Sequence, residues 1–283
     1  MQKIIVALAG NPNCGKTSMF NALTGSNQYV GNWPGVTVEK KEGRLKGSGN
    51  VIIADLPGIY SLSPYTPEEI VSREFVLKGN ISSVLNLVDA SNIERNLYLT
   101  TQIMEMGKPV AIALNMMDIV RKRGDKINVK RLAELLGCPI QETSALSGEG
   151  VKEAASLAVE AAGKDVNSQA VIKFSAPVEQ ALQKIDKLFE GKFIGASKSW
   201  FLVKLFERDK KVLEDLKISE EQGKTLDQII RLCENEMEDD AESIISNERY
   251  NFIEAIIKEA VIKNDGLSTT SEQIDRVVTS RAL

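Results

Sequence analysis

Eight residues near the amino terminus, Gly10-Asn11-Pro12-Asn13-Cys14-Gly15-Lys16-Thr17, have the spacing G-x-x-x-x-G-K-[ST]. These residue types in this order suit phosphate binding. Glycines let backbone N–H groups curl around the oxygens, Lys16 places a point charge on the β and γ groups, and the Thr17 hydroxyl, followed by Ser18, can ligate Mg2+. Downstream, Asp55-Leu56-Pro57-Gly58 offers a carboxylate that can hold Mg2+ through water and a glycine N–H that can approach a terminal phosphate. Alone, a D-x-P-G at a strand end also reads as a plain turn. Asn115-Met116-Met117-Asp118 ends an apolar run, and its carboxylate can accept hydrogen bonds from the guanine ring N–H and exocyclic amine together, a donor pair that adenine lacks. Thr143-Ser144-Ala145-Leu146 has the sequence that places an alanine N–H on the guanine carbonyl. The candidate ligand is therefore GTP or GDP with Mg2+.

These residues need a scaffold that delivers them to one place. From Lys3 to about Ala162, apolar runs of strand length alternate with longer amphipathic segments, which predicts an α/β fold with a mostly parallel sheet covered by helices. The expected strands are Ile4–Ala9, Val36–Leu45, Val51–Asp55, Ser83–Asp89, Val110–Asn115 and Pro139–Glu142. The second and third are joined by the short turn-rich Lys46–Asn50, so one edge should be antiparallel. Thr66-Pro67-Glu68-Glu69 combines a capping hydroxyl, a proline in the first turn and two carboxylates facing the helix dipole, predicting a helix to about Lys78. Beyond Ala162 the strands are expected to stop. A polar junction at Gly163–Ser168 precedes helical patterns over Pro177–Phe189, Lys198–Phe206, Leu226–Met237 and Asp240–Lys263. The expected division is a first domain over 1–165 and a small all-α domain over 166–283.

Bulk properties narrow the function. A chain of 283 residues exceeds the roughly 250 at which single cores stop growing. A formal net charge of −4 argues against a nucleic-acid partner, since phosphate neutralisation calls for a basic excess. Three scattered cysteines and no histidine encode neither a disulfide framework nor a transition-metal site. No run approaches the ~18 apolar residues of a membrane span, so the chain as given reads as soluble.

In this order and spacing the four motifs resemble the translation-factor-related branch of small GTPases, a Ras-like P-loop fold. Within it, Asn27-Gln28-Tyr29-Val30-Gly31-Asn32-Trp33-Pro34-Gly35-Val36-Thr37-Val38-Glu39 and the run from Ser91 to Gln102 resemble the ferrous iron transport protein B (FeoB) family. The resemblance implies that Thr37 is the switch threonine that ligates Mg2+ and senses the γ-phosphate. It implies a K+ ion held by the Asn13 side chain and the backbone carbonyls of Gly31 and Trp33, acting as an arginine finger would. Read from the residues alone, Asn13 could equally brace the phosphate loop and Trp33 could be a hydrophobic clasp on the switch. Lys16, Thr37, Gly58 and Asn13 are the expected catalytic groups. Ile59 stands where Ras-type enzymes carry the glutamine that orients water, so another element must stabilise charge. Cys14 stands where the family more often has Ser, Val or Ala; it reads as a small filler or, alternatively, as an oxidation-sensitive thiol beside the nucleotide.

The resemblance extends less sharply over Phe174–Lys263, the family's helical appendage. The acidic run from Glu234 to Glu242 reads as a solvated face rather than a ferrous-ion collector. Ser271–Leu283 is similar to the stretch ahead of the family's first membrane helix. The expected function is GTP-dependent control of Fe2+ uptake at the cytoplasmic face of a bacterial inner membrane. Its partners would be a membrane domain of the same polypeptide, with homo-oligomers and small regulatory proteins also to be sought. The competing reading is a stand-alone ribosome-assembly or RNA-modification GTPase, which should carry a basic RNA-binding surface.

Overall fold

The computed structural model describes residues 3–26, 28–63, 65–163, 172–189 and 192–264. The first half is a seven-stranded sheet built from β1 (Ile4–Gly10), β2 (Gln28–Asn32), β3 (Glu39–Arg44), β4 (Val51–Asp55), β5 (Ser83–Asp89), β6 (Val110–Asn115) and, after the two-residue β7 (Lys126–Ile127), β8 (Ile140–Glu142). Strands stand in the order β2-β3-β4-β1-β5-β6-β8. From β4 to β8 all neighbours are parallel, while β2-β3 and β3-β4 are antiparallel. Helices α1 (Lys16–Thr24), α2 (Pro67–Lys78), α3 (Ile93–Glu105), α4 (Met117–Arg123), α5 (Val129–Leu136) and α6 (Val151–Ala161) connect the strands.

Strand alternation explains why both sheet faces are apolar. On β1, Val6 and Leu8 join the core beneath α1 and α6, whereas Ala7 and Ala9 join the opposite core, with Leu97 and Ile103 of α3. This second core runs on into five further helices: α7 (Ala176–Leu188), α8 (Lys198–Phe206), α9 (Lys210–Leu216), α10 (Glu220–Met237) and α11 (Ala241–Ala260). Buried ion pairs also cross between the halves. Arg73 of α2 grips Asp209 at 2.7 and 3.1 Å, and Arg249 of α11 grips Glu105 of α3 at 2.9 and 2.7 Å.

The antiparallel edge is present, but the strand expected from Val36 begins only at Glu39, and Gln28–Asn32 adds an unexpected edge strand. Residues 34–37 turn instead, with the Val36 N–H donating to the Trp33 carbonyl at 3.3 Å. Strands do not stop at Ala162: β9 (Val261–Ile262) pairs antiparallel with β7, which also ends α11 short of Lys263. A two-residue strand has no periodicity to read, and its partner lies far away in sequence. Helix α10 starts at Glu220 rather than Leu226 because Ser219 and Gln222 form a capping box. The short α9 was unpredicted and is capped by Asp209. The Ser271–Leu283 stretch lies outside the described residues. Among the described residues no helix is long and apolar enough to cross a membrane.

Candidate functional site

Parallel strands point their carboxyl ends the same way, and it is there that open α/β sheets bind ligands. The phosphate loop follows β1, Asp55 ends β4, Asn115 ends β6 and Thr143–Leu146 follow β8. Four motifs distant in sequence thus meet along one sheet edge.

Asn115 joins two of them. Its amide donates to the Cys14 carbonyl at 2.8 Å, and its Oδ1 accepts from the Ala145 N–H at 2.9 Å and the Thr143 hydroxyl at 3.2 Å. A Cβ on Gly15, whose φ is 94°, would strike this amide, so the loop needs glycine for both space and backbone angle. The Ala145 N–H, expected to reach the guanine carbonyl, is thus engaged by Asn115 here. Ser144 is buried and Leu146 is 92% exposed. Arg121 of α4 pairs with Glu142 and Glu149, which flank this loop. Met116 has a left-handed φ of 62°, and Asp118 follows half-buried in the first turn of α4.

At the phosphate end, Lys16 donates to Asp55 at 3.1 Å. Burial pushes the Asp55 carboxyl above the usual range against the pull of Lys16. The two residues expected to serve phosphate and Mg2+ therefore hold each other. Thr17 and Ser18 are exposed at the start of α1. Gly58 lies against Pro12, where an added Cβ would sit 3.3 Å from the Pro12 Cα, so the D-x-x-G motif abuts the phosphate loop. Asn13 is exposed with a left-handed φ of 64°, and its side chain makes no hydrogen bond among the described residues. Asn11 is buried, and its amide donates to the Arg95 carbonyl at 3.5 Å, which ties the phosphate loop to α3.

One expectation is corrected. Cys14 does not face the nucleotide side: its thiol is 1% exposed in the core beneath α1, and burial pushes it up to about 11, which suits the filler role. The Gly31 and Trp33 carbonyls, implied as K+ ligands, are placed by β2 and by the turn that follows it. Gly31 is in β2 opposite Lys40, and the Trp33 carbonyl serves the turn. The Trp33 ring is a clasp, 6% exposed and edge-on to Phe75 of α2 at 4.9 Å. Thr37 is exposed in the turn before β3. Ile59 is 4% exposed and points into the core, with its N–H donating to the Gly10 carbonyl at 3.4 Å. In the acidic run, Glu234 pairs with Arg208 while Asp240 caps α11. Sequence reasoning missed Phe75, and within the Ser91–Gln102 run it gave no role to Arg95, whose guanidinium stacks on Tyr60 at 4.2 Å. Their partners are brought to them only by the fold.

A family model described as ferrous iron transport protein B matches residues 4–158, and one described as the FeoB cytosolic helical domain matches residues 174–262. The Fe(2+) transport protein A/Fe(2+) transporter FeoB fusion protein of Porphyromonas gingivalis is 39% identical over 296 residues, covering 99% of this chain and 35% of that protein. The Fe(2+) transporter FeoB of Escherichia coli is 35% identical, covering 100% of this chain and 37% of that protein. The chain thus spans little more than a third of the length of these relatives. Among solved structures, NFeoB from S. thermophilus bound to GDP.AlF4- and K+ superimposes with a TM-score of 0.81 at 46% identity, over 90% of this chain and 99% of that one. The mGMPPNP-bound form gives 0.80 at 45% identity, over 94% and 100%. A GDP-bound single-site mutant of the same protein gives 0.87 at 46% identity, over 92% and 100%.

Proposed function

The chain belongs to the ferrous iron transport protein B family, and on that footing we propose that it binds and hydrolyses GTP as the cytoplasmic part of a ferrous iron transporter. In this reading, a membrane domain of the same polypeptide carries the iron at the bacterial inner membrane, and the nucleotide state of this part controls uptake. The observation that carries the proposal is the Asn115 network, which ties the phosphate loop to the base loop through Cys14 and Ala145.

The mechanism follows from the side chains. The Asp118 carboxylate selects guanine by accepting from its two donors. Lys16 exchanges Asp55 for the nucleotide phosphates, and the loop N–H groups close around them. Asp55 and the Thr17 hydroxyl, with Thr37 once the switch has moved, are a hard-oxygen set suited to Mg2+. Asn13 fits K+, because its carboxamide is exposed and makes no hydrogen bond among the described residues, and the Gly31 and Trp33 carbonyls would complete the set, the Trp33 carbonyl on release from its turn. Both ions would add positive charge at the phosphate oxygens. Ile59, held in the core, orients no water, so Lys16, the Gly58 N–H and the loop amides carry the protein's share of charge stabilisation.

GTP turnover in matched KCl and NaCl, with and without Asn13→Ala, tests this. Faster turnover in KCl that the substitution abolishes supports the full proposal. Equal rates in both salts remove the K+ component. Tight GTP binding with no turnover in either salt overturns the hydrolase reading in favour of a nucleotide sensor.

A further inference from the structure

We propose that Phe75 is a positioning residue that latches the first switch through Trp33, and that α2 carries this latch to the helical domain. The inference rests on the reading above, in which Trp33 and Thr37 must leave their present places to serve the nucleotide site. It names how that movement is restrained.

Helix α2 is engaged from two sides. Arg73, Glu74 and Lys78 form ion pairs with Asp209, Lys211 and Asp215, all in or beside α9. The Arg73–Asp209 pair is bidentate, with side chains 4% and 3% exposed, and the guanidinium also lies 4.8 Å from the Trp200 ring. Asp209 in turn accepts the Val212 N–H that starts α9. Phe75 follows Arg73 by two residues, about 200° around the helix, and so presents a different face. On that face it meets the Trp33 ring edge-on, at 4.9 Å and 67°. One rigid helix therefore touches the switch with one side and α9 with the other.

The contact on the switch side is built to let go. The Trp33 indole N–H is buried with no partner among the described residues, so the ring is held by packing and by the Lys40 ammonium 5.1 Å from its centroid, and its N–H gains a hydrogen bond once it leaves. The Trp33 main chain is closed into a turn, its N–H donating to the Val38 carbonyl at 2.9 Å and its carbonyl accepting from Val36. Ring and carbonyl are therefore committed together. Freeing the carbonyl means opening the turn, and opening the turn lifts the ring from Phe75. By contrast, the α9 side is fixed by buried charges, so α2 acts as the anchored half and Trp33 as the moving half.

The test is 19F NMR of the chain labelled with 5-fluorotryptophan, whose two resonances are assigned by the loss of one in Trp33→Phe. Without nucleotide, the Trp33 resonance should sit well away from that of free fluorotryptophan. It should move towards it when mGMPPNP and K+ are added. Phe75→Leu, which keeps an apolar side chain, should produce most of that movement without nucleotide and lower the K+ concentration for half-maximal GTP turnover several-fold, with kcat at saturating K+ unchanged. Asp209→Asn should shift the same resonance in the same direction. An unmoved Trp33 resonance in Phe75→Leu, with GDP binding and far-UV circular dichroism intact, overturns the latch even if wild-type turnover responds to K+. A shift in Phe75→Leu but none in Asp209→Asn overturns the link to the helical domain. Absent K+ stimulation in the wild type counts instead against the underlying reading.

Discussion

Arg249 is where one substitution should cost most for a reason visible in the structure. Its side chain is 1% exposed, and it donates to both Glu105 oxygens and, at 3.2 Å, to Glu207. Burial alone would lower its basicity, but the two carboxylates hold the guanidinium firmly charged. In Arg249→Met, Glu207 keeps Lys204, so the orphan is Glu105, a carboxylate 4% exposed with no other ion-pair partner among the described residues. Breaking a buried pair from one side costs about 3–5 kcal/mol, a large part of the ~5–15 kcal/mol that holds a typical protein folded. Removing both charges is different, because apolar side chains of similar size can replace a buried pair at little cost. Arg249→Met/Glu105→Leu should therefore recover most of the loss. Urea unfolding followed by far-UV circular dichroism would show the midpoint falling and then rising at a nearly constant slope. A single variant costing under about 1 kcal/mol, or a double variant no more stable than the single, would refute the reasoning.

Asp209 supplies a pH test. Burial raises its carboxyl, but Arg73 and the Val212 N–H more than offset this and hold it below the usual carboxylate range. Its folded pKa lies below the unfolded value of about 3.9, so its contribution is full above that pH and lost as pH falls through the folded pKa. Stability measured from pH 6 to pH 2 should drop less steeply in Asp209→Asn than in the wild type, and parallel curves would contradict the assignment. Cys14, with its thiol pushed up to about 11, should resist a disulfide reagent at neutral pH in the native chain. Labelling of Cys14, located by peptide mapping, as fast as in the urea-unfolded chain would show the site to be open. Ile59→Gln should not create a water-orienting group, because the side chain enters the core; the expected outcome is a loss of about 1–3 kcal/mol with no gain in GTP turnover. A tenfold rise in kcat would mean that the residue turns outward.

Much of the scaffold was legible because its signals are local. The fully buried β6 reads as a continuous apolar run and β5 as two apolar pairs around Asn86, and the Thr66 cap is a four-residue pattern that the structure reproduces as a full capping box. The placement of the four candidate motifs was legible for a related reason, since each ends or directly follows a strand. What escaped was non-local. Strand β2 is half-exposed and borrows its conformation from pairing with β3, so no apolar alternation announces it. Strand β9 exists only because β7 lies beside it. The side-chain direction of Cys14 was also hidden: the motif fixes its backbone position, but only the packed core beneath α1 shows where the thiol goes.

The two arrangements that differ most from the sequence-based expectation have a common physical basis. Lys16 and Asp55 are mostly buried, and either charge left alone would carry a desolvation cost that their contact offsets. Trp33 is too large and apolar to leave in water, and Phe75 provides a surface for it. In each case a residue assigned a role toward nucleotide or metal has a protein partner in its place. On the function proposed above, GTP must displace both, so the measured affinity is the gross phosphate and base binding less the cost of two lost contacts. Weakening a placeholder should therefore tighten the active state rather than impair it, which sets Phe75 apart from Lys16: loss of Phe75 removes only the competitor, whereas loss of Lys16 removes the ligand-binding charge along with its placeholder.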